Sequence, residues 1–297
     1  MNENNSATKF IITCHGWSAS NWLSYALSQH EDIIASHSAA NLYEEKLTNN
    51  IKGKIQEFHK GYVNRQSQSI AKCYSKITSY GHAKLYGSVH LYRLRDIPVL
   101  YKKFGNETET YTTLNLIRDP IKLIWSGYGQ FKELFRTDIN ELHWTLSKIM
   151  EDKEEIDNIL SKYEIFPGDF INLAFIGAAC ILGSLRKDLD ALTQVKEIPF
   201  INYCGHIKME DVTQHPDTLR KLITLANDEI EVTDAYLEKV YSLGPINEHN
   251  KNAPLQSSKE LFNSLSLWQQ EITRFYMNKY KITDSYQSLG YDLSFLN

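Results

Sequence analysis

The chain has 297 residues, with 32 Lys and Arg against 36 Asp and Glu, a net charge of −4 and a pI near 6.2. That balance excludes bulk electrostatic capture of nucleic acid or of an anionic membrane, but not the holding of one small anion by a few placed groups. The apolar share of 42% and charged share of 23% exclude a disordered chain, and 12% aromatic residues point to a thick core or an aromatic-walled pocket.

Residues 9–13 read as a buried strand, followed by a turn and a helix over 21–29. A second short strand is expected at 32–36, and mostly helical structure with polar breaks over 41–80. Strands follow at 83–89 and 112–117, the latter rich in β-branched residues. Asp119-Pro120 then opens a helix, with Asp suited to the N-cap and Pro to the first helical position. An apolar helix is expected at 170–185, a strand within 200–208, a helix at 216–226, and one long final helix at 264–289. Strands alternating with helices predict an α/β fold around a parallel sheet. No repeat or low-complexity linker interrupts the chain, and the polar loop 244–258 is too short to mark a boundary, so a single domain over 1–297 is expected.

The polar start 1–9 carries no charged segment leading into a signal-type apolar core, and no run of about 18 apolar residues is present. The four cysteines, Cys14, Cys73, Cys180 and Cys204, share no CxxC spacing, which argues against a disulfide framework or a zinc site. A soluble protein of the reducing cytoplasm is expected, with no membrane and no nucleic-acid partner.

Three segments carry chemistry. In the first, Phe10 to Leu27, a strand feeds a tight turn into a helix N-terminus. Backbone N–H groups there point at one spot, and the hydroxyls of Ser18 and Ser20 add donors, which suits a phosphate. The GxxxxGK[ST] pattern is absent, which speaks against an ordinary ATP or GTP site. In the second, Arg118 stands at the carboxyl end of a strand and Ser126 eight residues on, a fork and a hydroxyl able to clasp a second phosphate. In the third, His90 follows the strand at 83–89 and suits proton abstraction near neutrality.

Their order and spacing resemble the PAPS-dependent sulfotransferase family. Ser18-Ala-Ser-Asn-Trp-Leu is similar to the family's SGTT-[WL]-L segment, Leu116-Ile-Arg-Asp-Pro with Ser126 to R-[DN]-P-x5-S, and Ser88-Val-His-Leu to K-[ST]-H-L. Lys208-Met-Glu-Asp-Val resembles Y-E-D-L, and Trp268 through Leu289-Gly-Tyr resembles the usual ending. The resemblance runs over nearly the whole chain. It implies a P-loop-like parallel sheet flanked by helices, the sulfotransferase fold. It also implies transfer of a sulfuryl group from 3′-phosphoadenosine 5′-phosphosulfate (PAPS) to a hydroxyl or nitrogen of a small-molecule acceptor, leaving 3′,5′-ADP (PAP), with no metal.

By the resemblance His90 is the general base. Trp17, Ser18, Ala19, Ser20, Asn21 and Trp22 surround the 5′-phosphosulfate, with Trp22 also against adenine. Arg118 and Ser126 hold the 3′-phosphate, Met209 stands where a tyrosine approaches adenine, and Lys251 is the cation of the loop 244–258. Where the family carries Lys or Arg before its loop, this chain has Trp17, and Ala19 replaces the loop glycine. His15 and Lys84 are candidates for the displaced cation. Small bacterial members of the family include secondary-metabolite tailoring enzymes, some acting on saxitoxin-type guanidinium alkaloids, and such an acceptor is one the resemblance suggests. The substitution at Trp17 motivates an alternative, a non-catalytic nucleotide-binding relative. Tyr62, Tyr74, Tyr80, Tyr86, Tyr92 and residues 128–144 are candidate pocket walls or core.

Overall fold

A computed structural model describes residues 7–37, 41–42, 66, 68–242, 244 and 256–296. Its centre is a six-stranded sheet made of β1 (Thr8–Cys14), β2 (Ile33–His37), β3 (Asn41–Leu42), β4 (Leu85–Val89), β5 (Tyr111–Ile117) and β6 (Ile201–Lys208), in the order β3-β2-β4-β1-β5-β6. Five strands run parallel, and the two-residue β3 pairs antiparallel with β2 at one edge. This is the α/β architecture with a parallel sheet flanked by helices that the alternation of elements predicts. The chain runs from β1 to β2, back to β4 beside β1, then to β5 on the other side of β1, so the order reverses at β1. Crevices at such a reversal, outside the carboxyl ends of the strands, are where open α/β sheets bind ligands.

The pattern of each strand explains its place. Phe10 to Cys14 of β1 are buried on both faces, as a central parallel strand requires. Phe10, Ile12 and Cys14 join one core with Leu23 and Leu27 of the helix Ser20–Leu27 and Leu219 and Leu222 of the helix Pro216–Ala226. Ile11 faces the other way, into a core with Ile70, Tyr74 and Ile77 of the helix Ile70–Thr78 and Ile97 and Leu100 of the helix Asp96–Phe104. Gly87 of β4 is needed because a Cβ there would collide with the Phe10 ring. Tyr74, Tyr86 and Tyr92 belong to this second core, so these three tyrosines are packing residues and not pocket walls; Tyr80 is exposed, and Tyr62 lies outside the described residues.

The described residues cluster into two compact units. The first, within 1–117 and 188–248, holds the sheet; the second lies within 118–187 and 249–297, and its elements among the described residues are all helices. In the second unit Asp119 caps the helix Pro120–Thr137 as its sequence predicts, its carboxylate accepting from the Ile121 and Lys122 amides at 2.9 and 3.1 Å. The apolar helix Phe170–Asp190 carries Gly177 and Gly183 where Cβ atoms would meet Thr145 at 2.5 Å and Tyr280 at 2.7 Å. The stretch Phe170–Lys196 holds an 18-residue window apolar enough, by length and composition, to cross a membrane, and half of that window is buried inside the protein.

The single long helix expected at 264–289 is instead three elements, because local backbone chemistry breaks it twice. Leu265 and Ser266 are extended, and a Ser266/Gln269 capping box starts the helix Leu267–Lys279. Lys281 then adopts φ 51°, which ends that helix and opens the next, Ile282–Ser288. Periodicity alone cannot register such a break, since the apolar spacing continues across it.

Candidate functional site at the carboxyl ends of β1, β2 and β4

Three segments leave the sheet side by side at this edge. β1 ends at Cys14 and the turn His15 to Ala19 enters the helix Ser20–Leu27. β4 ends at Val89, and the His90 amide continues its ladder by donating to the Ile12 carbonyl at 2.9 Å. β2 ends at His37, in register with Val89. The sheet pairing thereby sets His37, His90 and the β1 turn together within the first unit.

The backbone is strained here and relaxed almost everywhere else. Of five non-glycine residues with positive φ among those described, three lie at this edge: Trp17 at 65°, Ala19 at 52° and His90 at 65°. A left-handed conformation costs an L-residue about 1–2 kcal/mol, and such costs gather where a functional geometry demands them. Ala19 is the N-cap, and it has no side chain to cap with. The first amides of the helix therefore lack the usual side-chain acceptor, which leaves them available to an anion.

Ser18 adds a second feature. Its side chain is 1% exposed and its hydroxyl has no hydrogen-bond partner among the described residues. Burying a hydroxyl unpaired costs about 1–3 kcal/mol, a cost that an acceptor or donor brought to the turn would offset. An anion brought to the turn would meet the helix amides and this hydroxyl together.

Ser20 is turned elsewhere. Its Oγ lies 3.0 Å from His37 Nε2 and 3.3 Å from His90 Nδ1, and the two imidazoles meet edge to face with centroids 5.6 Å apart. Beneath them burial pushes the Cys14 thiol well above its ordinary pKa, opposed first by a Ser20 hydrogen bond and then by the charge of Arg93. Trp17 stacks on buried His15, with centroids 5.8 Å apart. Trp22 is buried against Tyr241, edge to face at 5.5 Å, and Ala19 and Met209 pack on the same core. The Tyr241 hydroxyl donates to the Val212 carbonyl at 2.6 Å, and burial holds its pKa up at about 12.

The structure thus brings Trp17, Ser18, Ala19, Ser20, Trp22, His90 and Met209 into one unit. Asn21 is half-buried on the first turn of the helix, its carbonyl accepting from the Ser24 hydroxyl at 3.0 Å. Arg118 and Ser126 belong to the second unit, Arg118 just after β5 and Ser126 along the helix Pro120–Thr137, both half-buried. Lys251 lies outside the described residues.

Lys84 is excluded as the displaced loop cation. It stands at the amino end of β4, where its ammonium pairs with Asp32 at 2.9 Å, across the sheet from His90. Ser88, at the position of the family lysine, is fully buried with its hydroxyl 3.2 Å from that of Tyr74. Arg93, three residues after His90, carries a positive charge that acts on Cys14 and also on the buried Asp188 carboxyl. His37 and Arg93 are the two residues near the β1 turn that the sequence motifs did not single out. Arg93 was readable from its closeness to His90, whereas His37 carried no local signal.

On the opposite face, Thr13 donates to the Asn115 side-chain oxygen at 2.9 Å and the Asn115 amide donates to His206 Nδ1 at 3.1 Å. Burial, then the charge of Lys196, holds the His206 pKa below its ordinary value, so this imidazole is a neutral acceptor near neutrality. Among the described residues no three His, Cys, Asp or Glu side chains gather as a metal site.

No family profile and no curated protein matches the chain in sequence. Solved structures that resemble it in fold include a sulfotransferase from Alicyclobacillus acidocaldarius, at 12% identity and a TM-score of 0.37, covering 80% of this chain and 91% of that one. Mouse sulfotransferase SULT7A1, complexed with PAP, aligns at 10% identity and a TM-score of 0.45, covering 96% of this chain and 91% of that one. Both scores lie below 0.5, so the functional reading rests on the chain's own residues.

Proposed function

We propose that this chain is a PAPS-dependent sulfotransferase acting on a small-molecule acceptor. The observation that carries the reading is the β1 turn: an uncapped helix N-terminus, two strained non-glycine residues and a buried unpartnered Ser18 hydroxyl, next to a histidine held at the end of β4. This fits the 5′-phosphosulfate end of PAPS. The amides around Ser18 to Trp22 would hold the phosphate, and Arg93 would supply the charge that Trp17 lacks. In line with the resemblance, Arg118, Ser126 and Lys251 take the 3′-phosphate, Trp22 and Met209 lie toward adenine, and the whole chain 1–297 acts as one domain in the cytoplasm. The acceptor oxygen or nitrogen attacks sulfur, its proton goes to His90, and the bond to the phosphate oxygen breaks to release 3′,5′-ADP. A guanidinium alkaloid of saxitoxin type is the acceptor class we favour, since a protein of net charge −4 does not repel a cation.

The test is titration with 3′,5′-ADP beside a sulfate-transfer assay over phenolic, alcoholic and guanidinium acceptors. Saturable binding with transfer supports the reading; stabilisation by ATP and not by 3′,5′-ADP overturns it. Arg118→Ala should weaken 3′,5′-ADP by about 10- to 100-fold and leave 5′-AMP nearly unchanged, because a charge-assisted bond contributes about 1.5–3 kcal/mol. Equal losses for both nucleotides would remove Arg118 from the 3′-phosphate. Trp17, stacked on His15 where the family has a cation, favours a second reading, a nucleotide-binding protein without transferase activity. Binding of 3′,5′-ADP with no transfer to any acceptor would select it.

A further inference from the structure

The hydroxyl of Ser20 joins two histidines that lie 17 and 70 residues away in sequence. His37 is 2% exposed, His90 5% and Ser20 7%, so water does not compete for these contacts. A serine hydroxyl carries one hydrogen and can accept two. If Ser20 donates to His90 Nδ1, the proton of neutral His90 sits on Nε2, and that nitrogen cannot act as a base. If Ser20 donates to His37 Nε2, it accepts from His90 Nδ1–H and leaves His90 Nε2 bare. When the single Ser20 proton goes to His37 Nε2 it is denied to His90 Nδ1, which then keeps its contact only as an N–H donor.

We propose that His37 is a positioning residue for His90, drawing the Ser20 hydroxyl proton so that His90 is held as the Nδ1–H tautomer with Nε2 unprotonated and able to take the acceptor's proton. In hydrolytic triads a carboxylate does this work. Here a carboxylate would stand beside a turn shaped for an anion and repel it, whereas a neutral hydroxyl and imidazole orient the base without adding charge. Cys14, the third group at Ser20, is kept a neutral thiol by burial, and a thiol sulfur accepts the Ser20 proton more weakly than an imidazole nitrogen does. His37 itself needs no contact with substrate, because it acts through Ser20.

The inference rests on the reading of His90 as the base, but its first test does not. Nitrogen-15 NMR of the full-length chain labelled at histidine, with His90 assigned by its loss in His90→Gln, reads the tautomer directly. Nδ1 protonated and Nε2 bare is the expected result, with His37→Leu moving His90 to a mixture or to the Nε2–H form. An Nε2–H tautomer in the unaltered protein, or a His90 signal indifferent to His37→Leu, overturns the proposal whether or not sulfate is transferred. Should His37→Leu fail to fold, Ser20→Ala removes the bridge while keeping both rings and gives the same reading. In the transfer assay His37→Leu should lower kcat by about 10- to 100-fold with the KM for nucleotide unchanged. His37→Gln, whose side-chain oxygen can accept the Ser20 proton, should recover most of that loss; a Gln variant as slow as the Leu variant counts against the relay.

Discussion

The two edges of the sheet are built on opposite principles. At the amino edge Lys84 pairs with Asp32, Lys9 with Glu109, and the Glu107 carboxylate accepts from the Ile70 and Ala71 amides at 3.0 and 3.3 Å. Charges there are matched and at least partly solvated, and no non-glycine residue with positive φ lies there among those described. The carboxyl edge has three non-glycine residues in the left-handed region, a buried hydroxyl without a partner among the described residues and two buried imidazoles on a third group. One edge is settled by its own contacts, while the other holds strain and unused hydrogen-bonding capacity. That difference, more than any single motif, is what supports the proposed site, because stability alone would favour relaxing it.

Substitutions can break this contrast. The largest effect is expected at His90. His90→Ala should lower turnover by about 10²–10⁴ while leaving 3′,5′-ADP affinity nearly intact, and unchanged turnover would remove His90 as the base. Gly87→Ala probes the body of β4 between the two edges. With the Phe10 ring in the way it should destabilise the fold by about 1–3 kcal/mol in denaturant unfolding. Gly16→Ala, where a Cβ meets nothing within 4 Å among the described residues, should change stability by less than about 0.5 kcal/mol.

Ala19→Gly tests the strain itself. Relief of about 1–2 kcal/mol, offset by the greater freedom of glycine in the unfolded chain, should leave a net gain of up to about 1 kcal/mol. A loss would mean that the left-handed N-cap is not strained. The smallest effect is expected at the amino edge. Lys84→Ala should leave turnover unchanged and shift the melting temperature slightly, by an amount that vanishes in high salt, because the pair is exposed. A fall in turnover there would erase the distinction between the edges.

Much of this architecture was legible in the residues. The helix opened by Asp119-Pro120 and the helix Pro216–Ala226 follow from local capping and periodicity, and the strands at β1 and β5 from short β-branched apolar runs. The helix Asp96–Phe104 escaped notice because Pro98 lies inside its first turn and the segment is short. The site was legible only in part. Ser18, Ala19 and Ser20 lie in one turn, and His90 ends a strand, so pattern and position single them out.

What the sequence alone determined is therefore everything that depends on neighbours along the chain: the strand, turn and helix at residues 8–27, the capped helices and the alternation that makes a parallel sheet. The pairing of β2 with β4, which sets His37 opposite Val89, was decided only by the tertiary structure. A slip of one residue would turn His37 to the other face of the sheet, away from Ser20. The physical reason is that register is chosen by the packing of two cores, one on each face, and no local pattern around His37 records that choice.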